Sequence, residues 1–369
     1  NGMLIHYFWG QQQLYALAVH DGNAEIHQLG NITTILNGLS SYLKYFEDGS
    51  RIVESPASFM EAGYALYQQL LAPLVDELPE QLLIVPSGPL AYLPFEALSV
   101  KPAANYAATE SYLVVSTLLT YAYSGTLHDQ LYQLPEQPTS GNLLAFAPFV
   151  TSGNSAYSQL RNSEQEMDEL QSIFKGTFLE DKAATRAAFF QRAEQFSLLH
   201  LSTHAGSRST EEQPFIAFYD SLLWMSELYQ LHLPADLVVL SACQTNTGEL
   251  AGGEGVLGLG RGFFYAGARS VVASLWNLND RHTSQIINAF YQQMEEGVPK
   301  SLALQQAKLA FLNDPDIPAF QKSPYFWAGL TFYGNQQPLQ VASKWPAYWW
   351  GIALLLLLPA LWFIFRKRH

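Results

Sequence analysis

The stretch "LVVLSACQTNTG", residues 237–248, is an apolar run that stops on the only cysteine of the 369-residue chain and turns polar at once. A short continuous apolar run bounded by turn-forming residues reads as a strand covered on both faces. The same pattern recurs around it in "NLLAFAP" (142–148), "SLLHLST" (197–203), "FIAFY" (215–219) and "RSVVASLW" (269–276). Helical spacing fills the gaps. "SEQE" (163–166) fits a capping box that opens a helix with Met167, Leu170 and Phe174 on one face. "LLWMSELYQL" (222–231) and the segments around 255–266, 282–296 and 300–313 read as further helices. Buried strands alternating with helices predict an α/β fold, a mostly parallel sheet flanked by helices on both faces. In such sheets sites form beyond the carboxyl ends of the strands.

Upstream, "PEQPTSGN" (135–142) is a polar break rich in Pro, Gly and Ser, and it divides the chain into a region 1–135 and a region 138–337. Within the first, "QLLIVPSGPLAYLPFEAL" (81–98) reads as a short buried strand, turns at Pro86, Gly88 and Pro89, and a second apolar segment. Residues 56–75 carry helical spacing through Phe59, Ala62 or Gly63, Leu66 and Leu70. There is no internal repeat.

Two strand ends stand out, because "SLLHLST" is followed by His204 and "DLVVLSA" by Cys243. Side chains alternate along a strand, so each of these is the first group released from the core, and neighbouring strands would bring them together. A free thiol has a pKa of about 8.5 and is only slightly ionised at neutral pH. A nearby imidazole can take its proton or hold its anion, which makes a nucleophile for acyl transfer. Backbone N–H groups at Ala205 and at Cys243 itself could then hold an oxyanion. As a residue type alone, free cysteine is more often a small buried hydrophobe than a nucleophile. The residues by themselves leave both readings open.

"LLHLSTHA" and "LVVLSACQTNTGELAGGEGVLGLGRGFFYAGARSVVASLWNLND" resemble the His and Cys blocks of the caspase-like CHAT domain family, relatives of caspases and separases. The resemblance continues in "LLIVPSGPLAYLPFEAL", "RNSEQEMDELQSIF" and "SPYFWAGLTFYG", and covers roughly residues 50 to 335. It implies a cysteine-type endopeptidase with His204 as base and Cys243 as nucleophile, acting on a protein or peptide substrate without a cofactor. It also implies that region 1–135 is a pseudo-caspase-like support without a dyad, that 138–337 is the catalytic domain, and that an upstream tetratricopeptide-repeat domain or a regulatory partner accompanies them, in a signalling or defence role. Two positions depart from the family pattern. Ala205 stands where Gly is usual and Gln244 where Glu is common. A Cβ at 205 could crowd the substrate carbonyl, which motivates an alternative: a catalytically weak scaffold that binds peptides or partners at a membrane.

The charge balance narrows the classes. The formal net charge is −13; an acidic chain without a basic, aromatic-interleaved run repels phosphate backbones and argues against nucleic-acid binding. "GEGVLG" (253–258) satisfies a dinucleotide fingerprint, but "QTNTGELAG" separates it from the strand end, so the tight pyrophosphate-cradling turn is missing. Glu254, the charged group of that loop, is a candidate contact for a basic substrate side chain. His200 and His204 lie on a strand pattern, about 13 Å apart along it, too far for one metal ion, and His200 reads as a core histidine. Neither G-x-S-x-G nor Gly-Lys occurs.

"WPAYWWGIALLLLLPALWFIF" (345–365) has no charged residue and is followed by the basic tail 366–369. At about 1.5 Å per residue it spans roughly 31 Å, which fits one transmembrane helix through a lipid bilayer. Trp345, Tyr348, Trp349 and Trp350 cluster at one end and Trp362 lies near the other, as interfacial belts do. The basic tail argues for a cytosolic carboxy terminus; the free thiol and the lack of a leader in this sequence argue for a cytosolic main domain. The expectation is a single-pass, carboxy-terminal membrane anchor with the catalytic domain on the cytoplasmic side.

Overall fold

The computed structural model describes residues 2–135, 142–153, 156–206, 213–242, 249–251, 255–276 and 280–339. In chain order the strands are β1 (Gly2–Trp9), β2 (Gln13–His20), β3 (Asn23–Asn31), β4 (Gln81–Val85), β5 (Leu118–Tyr121), β6 (Leu143–Ala147), β7 (Gly176–Glu180) and β8 (Leu198–Thr203). They continue with β9 (Ala205–Gly206), β10 (Phe215–Ala217), β11 (Leu222–Trp224), β12 (Leu237–Ala242), β13 (Glu249–Ala251), β14 (Gly255–Leu257), β15 (Ser270–Ser274) and β16 (Leu330–Gly334). Eleven of them form one sheet in the order β3-β2-β1-β4-β5-β16-β15-β12-β8-β6-β7. Three others, β9 to β11, make a small antiparallel sheet, and β13 pairs with β14.

The chain direction changes once near the middle of the large sheet. Strands β1, β4, β5 and β16 are parallel to one another, although β16 meets β5 only through Tyr333 and Tyr121. Strand β16 is antiparallel to β15, and β15, β12, β8, β6 and β7 are again mutually parallel. Two parallel sets therefore run in opposite directions, and the carboxyl ends of one set lie at the opposite rim from those of the other.

The first set begins with a meander that period-2 alternation explains: Met3, Ile5 and Tyr7 of β1, and Leu14, Ala16 and Ala18 of β2, are buried while their neighbours are not. Strands β2 and β3 are joined through Asp21 (φ 49°) and Gly22 (φ 78°), two left-handed residues that match the twist of a tight hairpin. Helix Ile32–Leu43 follows directly, capped by the Asn31 side chain accepting from Thr33 N–H. Helix Pro56–Leu70 starts on a proline at its first position and buries Phe59, Gly63, Leu66 and Leu70, the predicted stripe.

In the second set, successive residues of β8 serve opposite faces. His200 meets Tyr291 of helix Asp280–Glu295, while Phe146, register partner of Leu201, packs on Phe189 and Phe218. Helix Lys300–Asn313 ties the two sets together: Lys300 donates to Asp236, just before β12, at 2.9 Å, and Lys308 is fully buried, 2.7 Å from Glu96 of the first set and 2.6 Å from the Leu330 carbonyl. Burial outweighs their mutual attraction, so the Glu96 carboxyl is pushed up and the Lys308 ammonium down.

Several sequence expectations are corrected here. "LLWMSELYQL" is not one helix: Leu222–Trp224 is a strand of the small sheet, and only Met225–Leu228 is helical. "FIAFY" contributes β10 to that small sheet instead of to the large one. The helix expected around 255–266 is shortened to Leu259–Tyr265, preceded by β14. The capping box at Ser163–Glu166 does not form, because Asn162 occupies the cap position and Ser163 and Glu166 are turned inward. Among the described residues no helix is long and apolar enough to cross a membrane; residues 345–365 lie outside them, as does most of the predicted boundary at 135–142.

Candidate active site

Strands β8 and β12 are parallel neighbours paired from Leu198↔Leu237 to Thr203↔Ala242. Thr203 and Ala242 are the residues immediately before His204 and Cys243. The strands that lead to the two expected site positions are thus adjacent and end in register at the same rim. Cys243, Gln244 and Glu254 themselves lie outside the described residues.

His204 is half-buried in an aromatic cup. The Tyr157 ring stacks on it with centroids 5.3 Å apart and planes 23° apart, and Phe149 lies at 5.3 Å with a 55° tilt. Its Nε2 is 2.8 Å from the Ser158 carbonyl oxygen. A carbonyl can only accept, so this contact requires the proton on Nε2 and leaves Nδ1 as the basic nitrogen of the neutral ring. That main-chain carbonyl orients the imidazole and selects its tautomer.

The segment holding that carbonyl is itself pinned. Asp181, held at φ 43°, accepts from Val150 N–H at 3.1 Å and Thr151 N–H at 3.0 Å through one oxygen, and from the Thr151 hydroxyl at 2.7 Å through the other. Gln159 donates to the Val150 carbonyl at 2.7 Å. A Cβ at Gly153 would run into the Tyr157 carbonyl, so only glycine lets the two strands of this loop approach. By composition "TSGNSAYS" (151–158) looks like an exposed loop open to nicking. Its described residues are indeed irregular and mostly exposed, and they also carry the ring and the carbonyl that hold His204, a role that contacts across 46 residues of sequence conceal.

Beyond His204 the chain enters the small sheet. Ala217 N–H donates to the His204 carbonyl at 2.8 Å, so 204 and 217 are a hydrogen-bonded pair of the antiparallel ladder. Its next pair, Ala205↔Ile216, is of the non-hydrogen-bonded kind, and this ladder leaves the Ala205 N–H unspent. Ala205 is not among the residues with positive φ, which for non-glycines are Asp21 and Asp181 among the described residues. A Cβ at this position therefore needs no strained backbone.

Below the rim, two residues back along each strand, Ser202 and Ser241 face a buried carboxylate. Glu166 accepts from Ser202 at 3.0 Å and from Ser241 and Ser284 at 3.4 Å, and Ser163 bonds Ser202 at 2.8 Å. His200, fully buried as expected of a core histidine, places Nε2 3.3 Å from the other Glu166 oxygen, too poorly aligned for a hydrogen bond. Its Nδ1 is 3.1 Å from the Tyr291 hydroxyl. Burial, and then the Glu166 charge, push the Tyr291 phenol well above its ordinary value, so it keeps its proton and can donate to Nδ1. This cluster joins β8, β12 and two helices beneath the rim. A serine and a glutamate spaced as a capping box were its sequence signature.

No group of three or more His, Cys, Asp or Glu suited to a metal ion occurs among the described residues.

The CHAT domain family profile matches residues 60–335. The chain belongs to the CHAT domain family. Mouse tetratricopeptide repeat protein 28 is 23% identical over 334 residues, an alignment covering 76% of this chain and 13% of that protein. Its human counterpart is 32% identical over 123 residues, covering 33% of this chain and 5% of that protein. The chain therefore spans only a small fraction of the length of these curated relatives. Among solved structures, a separase–securin complex from Saccharomyces cerevisiae superposes on this CHAT domain with a TM-score of 0.61 at 11% identity, covering 90% of this chain and 30% of that one. The Arg-specific cysteine proteinase gingipain R reaches 0.48 at 14% identity, covering 76% of this chain and 67% of that one. At these identities the separase likeness supports a shared caspase-like fold.

Proposed function

We propose that this CHAT domain is a cysteine endopeptidase in which Cys243 is the nucleophile and His204 the proton carrier. The observation that carries the reading is the Thr203↔Ala242 pairing, which ends the strands before His204 and Cys243 at one rim and so supports their meeting there. In the reaction, His204 Nδ1 takes the Cys243 thiol proton and the thiolate attacks the peptide carbonyl carbon. The oxygen that gains charge is met by the N–H groups of Ala205 and Cys243. As the C–N bond breaks, the imidazolium gives its proton to the leaving amine. Water then cleaves the thioester, passing a proton to His204 and releasing the acid and the thiolate. The Nε2–H bond to the Ser158 carbonyl supports the imidazolium at both steps, since it shortens and strengthens when the ring is charged.

Residues 345–365 anchor this domain to a bilayer on its cytoplasmic side, with 366–369 as flanking basic residues. Protein partners belong to the same reading: the relatives are tetratricopeptide repeat proteins and the structural neighbour was solved with securin, which supports regulation by a repeat region or a bound protein. Glu254 remains the candidate for contact with a basic substrate side chain.

Incubation of the protein and its Cys243→Ala variant with a peptide library tests the proposal. Cleavage that requires the thiol is the expected result. Equal peptide binding without turnover in both would assign the chain to a binding scaffold instead.

A further inference from the structure

A cavity of about 240 Å³ lies beside this rim, walled by Phe46, Glu47 and Tyr92, by Leu275 and Trp276 just after β15, and by Tyr325 just before β16. It is smaller than the roughly 300–1,000 Å³ of small-molecule sites, and of a size for one side chain. Its place follows from register. Val238 and Val239 of β12 pair with Val271 and Val272 of β15, and the same offset brings Leu275 level with Ala242. In the sheet order β8, β12, β15, the His204 strand therefore flanks the Cys243 strand on one side and the cavity flanks it on the other.

Peptide cleavage gives that arrangement a direction. A single imidazole must reach both the thiol and the leaving nitrogen, so the amine half of the substrate lies on the His204 side. The acyl half, whose carbonyl is attacked, then extends the other way, towards β15. We propose that the cavity receives the side chain of the residue contributing the attacked carbonyl, and that it selects a large uncharged apolar side chain. The inference rests on the peptidase reading and adds its substrate class.

The lining decides the chemistry. Phe46 and Trp276 have ring centroids 4.5 Å apart at 32°, and Tyr325 lies 6.4 Å from Trp276 at 24°, so the walls are aromatic faces. The one indole donor is spent, because Trp276 Nε1–H donates to the Tyr325 carbonyl at 3.0 Å. Among the described residues of the lining Glu47 is the one ionised group, and its carboxylate is 2.9 Å from the Arg51 guanidinium. An incoming cation would meet Arg51 as well as Glu47, and an incoming anion would meet the Glu47 carboxylate. Each would give up its water for that, whereas an aromatic or long aliphatic side chain gains ring contacts.

The test uses the full chain and a panel of peptidyl electrophiles that differ only in the side chain next to the reactive carbon: Phe, Leu, Met, Gly, Asp, Lys and Arg. The rate of Cys243 modification is followed by intact mass, and the chain's single cysteine makes the readout unambiguous. Phe, Leu and Met probes should react about tenfold or more faster than Asp, Lys or Arg probes. Tyr325→Ala should bring the Phe and Gly probes close to equality, and Tyr325→Phe should restore the preference. If Tyr325→Ala melts without a cooperative transition, the ranking on the wild-type chain decides alone. Modification of Cys243 at equal rates, or faster with a charged probe, would overturn the cavity assignment and leave the peptidase reading standing. No modification by any probe would overturn the peptidase reading and the cavity's role with it.

Discussion

Strand β4 ends at Val85 and strand β8 at Thr203, and the chain leaves the sheet differently at the two places. After β4 the backbone turns through Gly88 at φ 55°, with the Trp9 indole donating to the Ser87 carbonyl at 2.9 Å and Leu90 and Leu93 buried behind it. That rim is sealed by an indole and apolar residues. After β8 comes a half-exposed imidazole with an aromatic cup and an oriented tautomer. Because the two parallel sets run in opposite directions, β4 and β8 end at opposite rims, and the chain that seals the β4 end runs on to Tyr92, in the wall of the cavity beside the His204 rim. The difference shows that a strand end is only an opportunity. What the next few residues place there decides between support and chemistry.

The sharpest way to break the comparison is at the reactive rim, where Cys243→Ala should lower peptide turnover by about 10⁴-fold or more, measured as product formed under substrate excess. Its unfolding free energy should stay within about 1 kcal/mol of wild type, since one small side chain changes.

At the seam between the sets, Glu96→Ala should cost about 3–5 kcal/mol in denaturant unfolding, because it strands the buried Lys308 charge. The double substitution Glu96→Met with Lys308→Met should recover most of that loss. The seam also carries a pH signature. Glu96 is raised in the folded state by burial, so the stability from its protonation is present below the unfolded value of about 4.3 and is lost as pH rises towards the folded one. Glu96→Gln should remove that decline from unfolding curves measured upward from about pH 4. Lys308 is lowered, so its cost to the native state is relieved only as pH rises towards about 10.4, where the unfolded lysine also loses its proton.

Asp181→Ala cuts the three hydrogen bonds that fix residues 150–151. Turnover should fall about 10- to 100-fold as the Ser158 carbonyl loses its place, with KM changing less than kcat. Gly88→Ala is the matching probe of the sealed rim. A Cβ there would come within 2.9 Å of Trp9 Nε1 and require a positive φ, so about 1–3 kcal/mol of stability should be lost. In that variant kcat/KM below the melting transition should not change.

The strands that lead to the candidate site were legible because β6, β8 and β15 are buried along their whole lengths and β12 from Leu237 to Leu240, and a continuous apolar run survives any choice of facing. Their adjacency was an inference that the β8–β12 pairing supports. Tertiary contacts hid the rest. Ser163 and Glu166 have capping-box spacing, but the pull of a buried cluster around His200 outweighs a surface cap. Strands β10 and β11 are three residues each, too short for a period to register. Composition made residues 151–158 look like a loop and could not show that Tyr157 and Ser158 close over His204. The hairpin at Asp21-Gly22 did carry a readable signal, an Asp-Gly pair between alternating strands. The aromatic cavity brings together Phe46 and Trp276, 230 positions apart, and no local pattern encodes that meeting.

The claim that everything functional depends on is that His204 and the thiol share one rim, and it can be measured on the thiol directly. The pH dependence of Cys243 alkylation by a small neutral reagent should give an apparent pKa clearly below the ordinary value of about 8.5 in the wild-type chain, and His204→Ala should move it back to that value or above. Identical alkylation profiles for the two proteins would contradict the account.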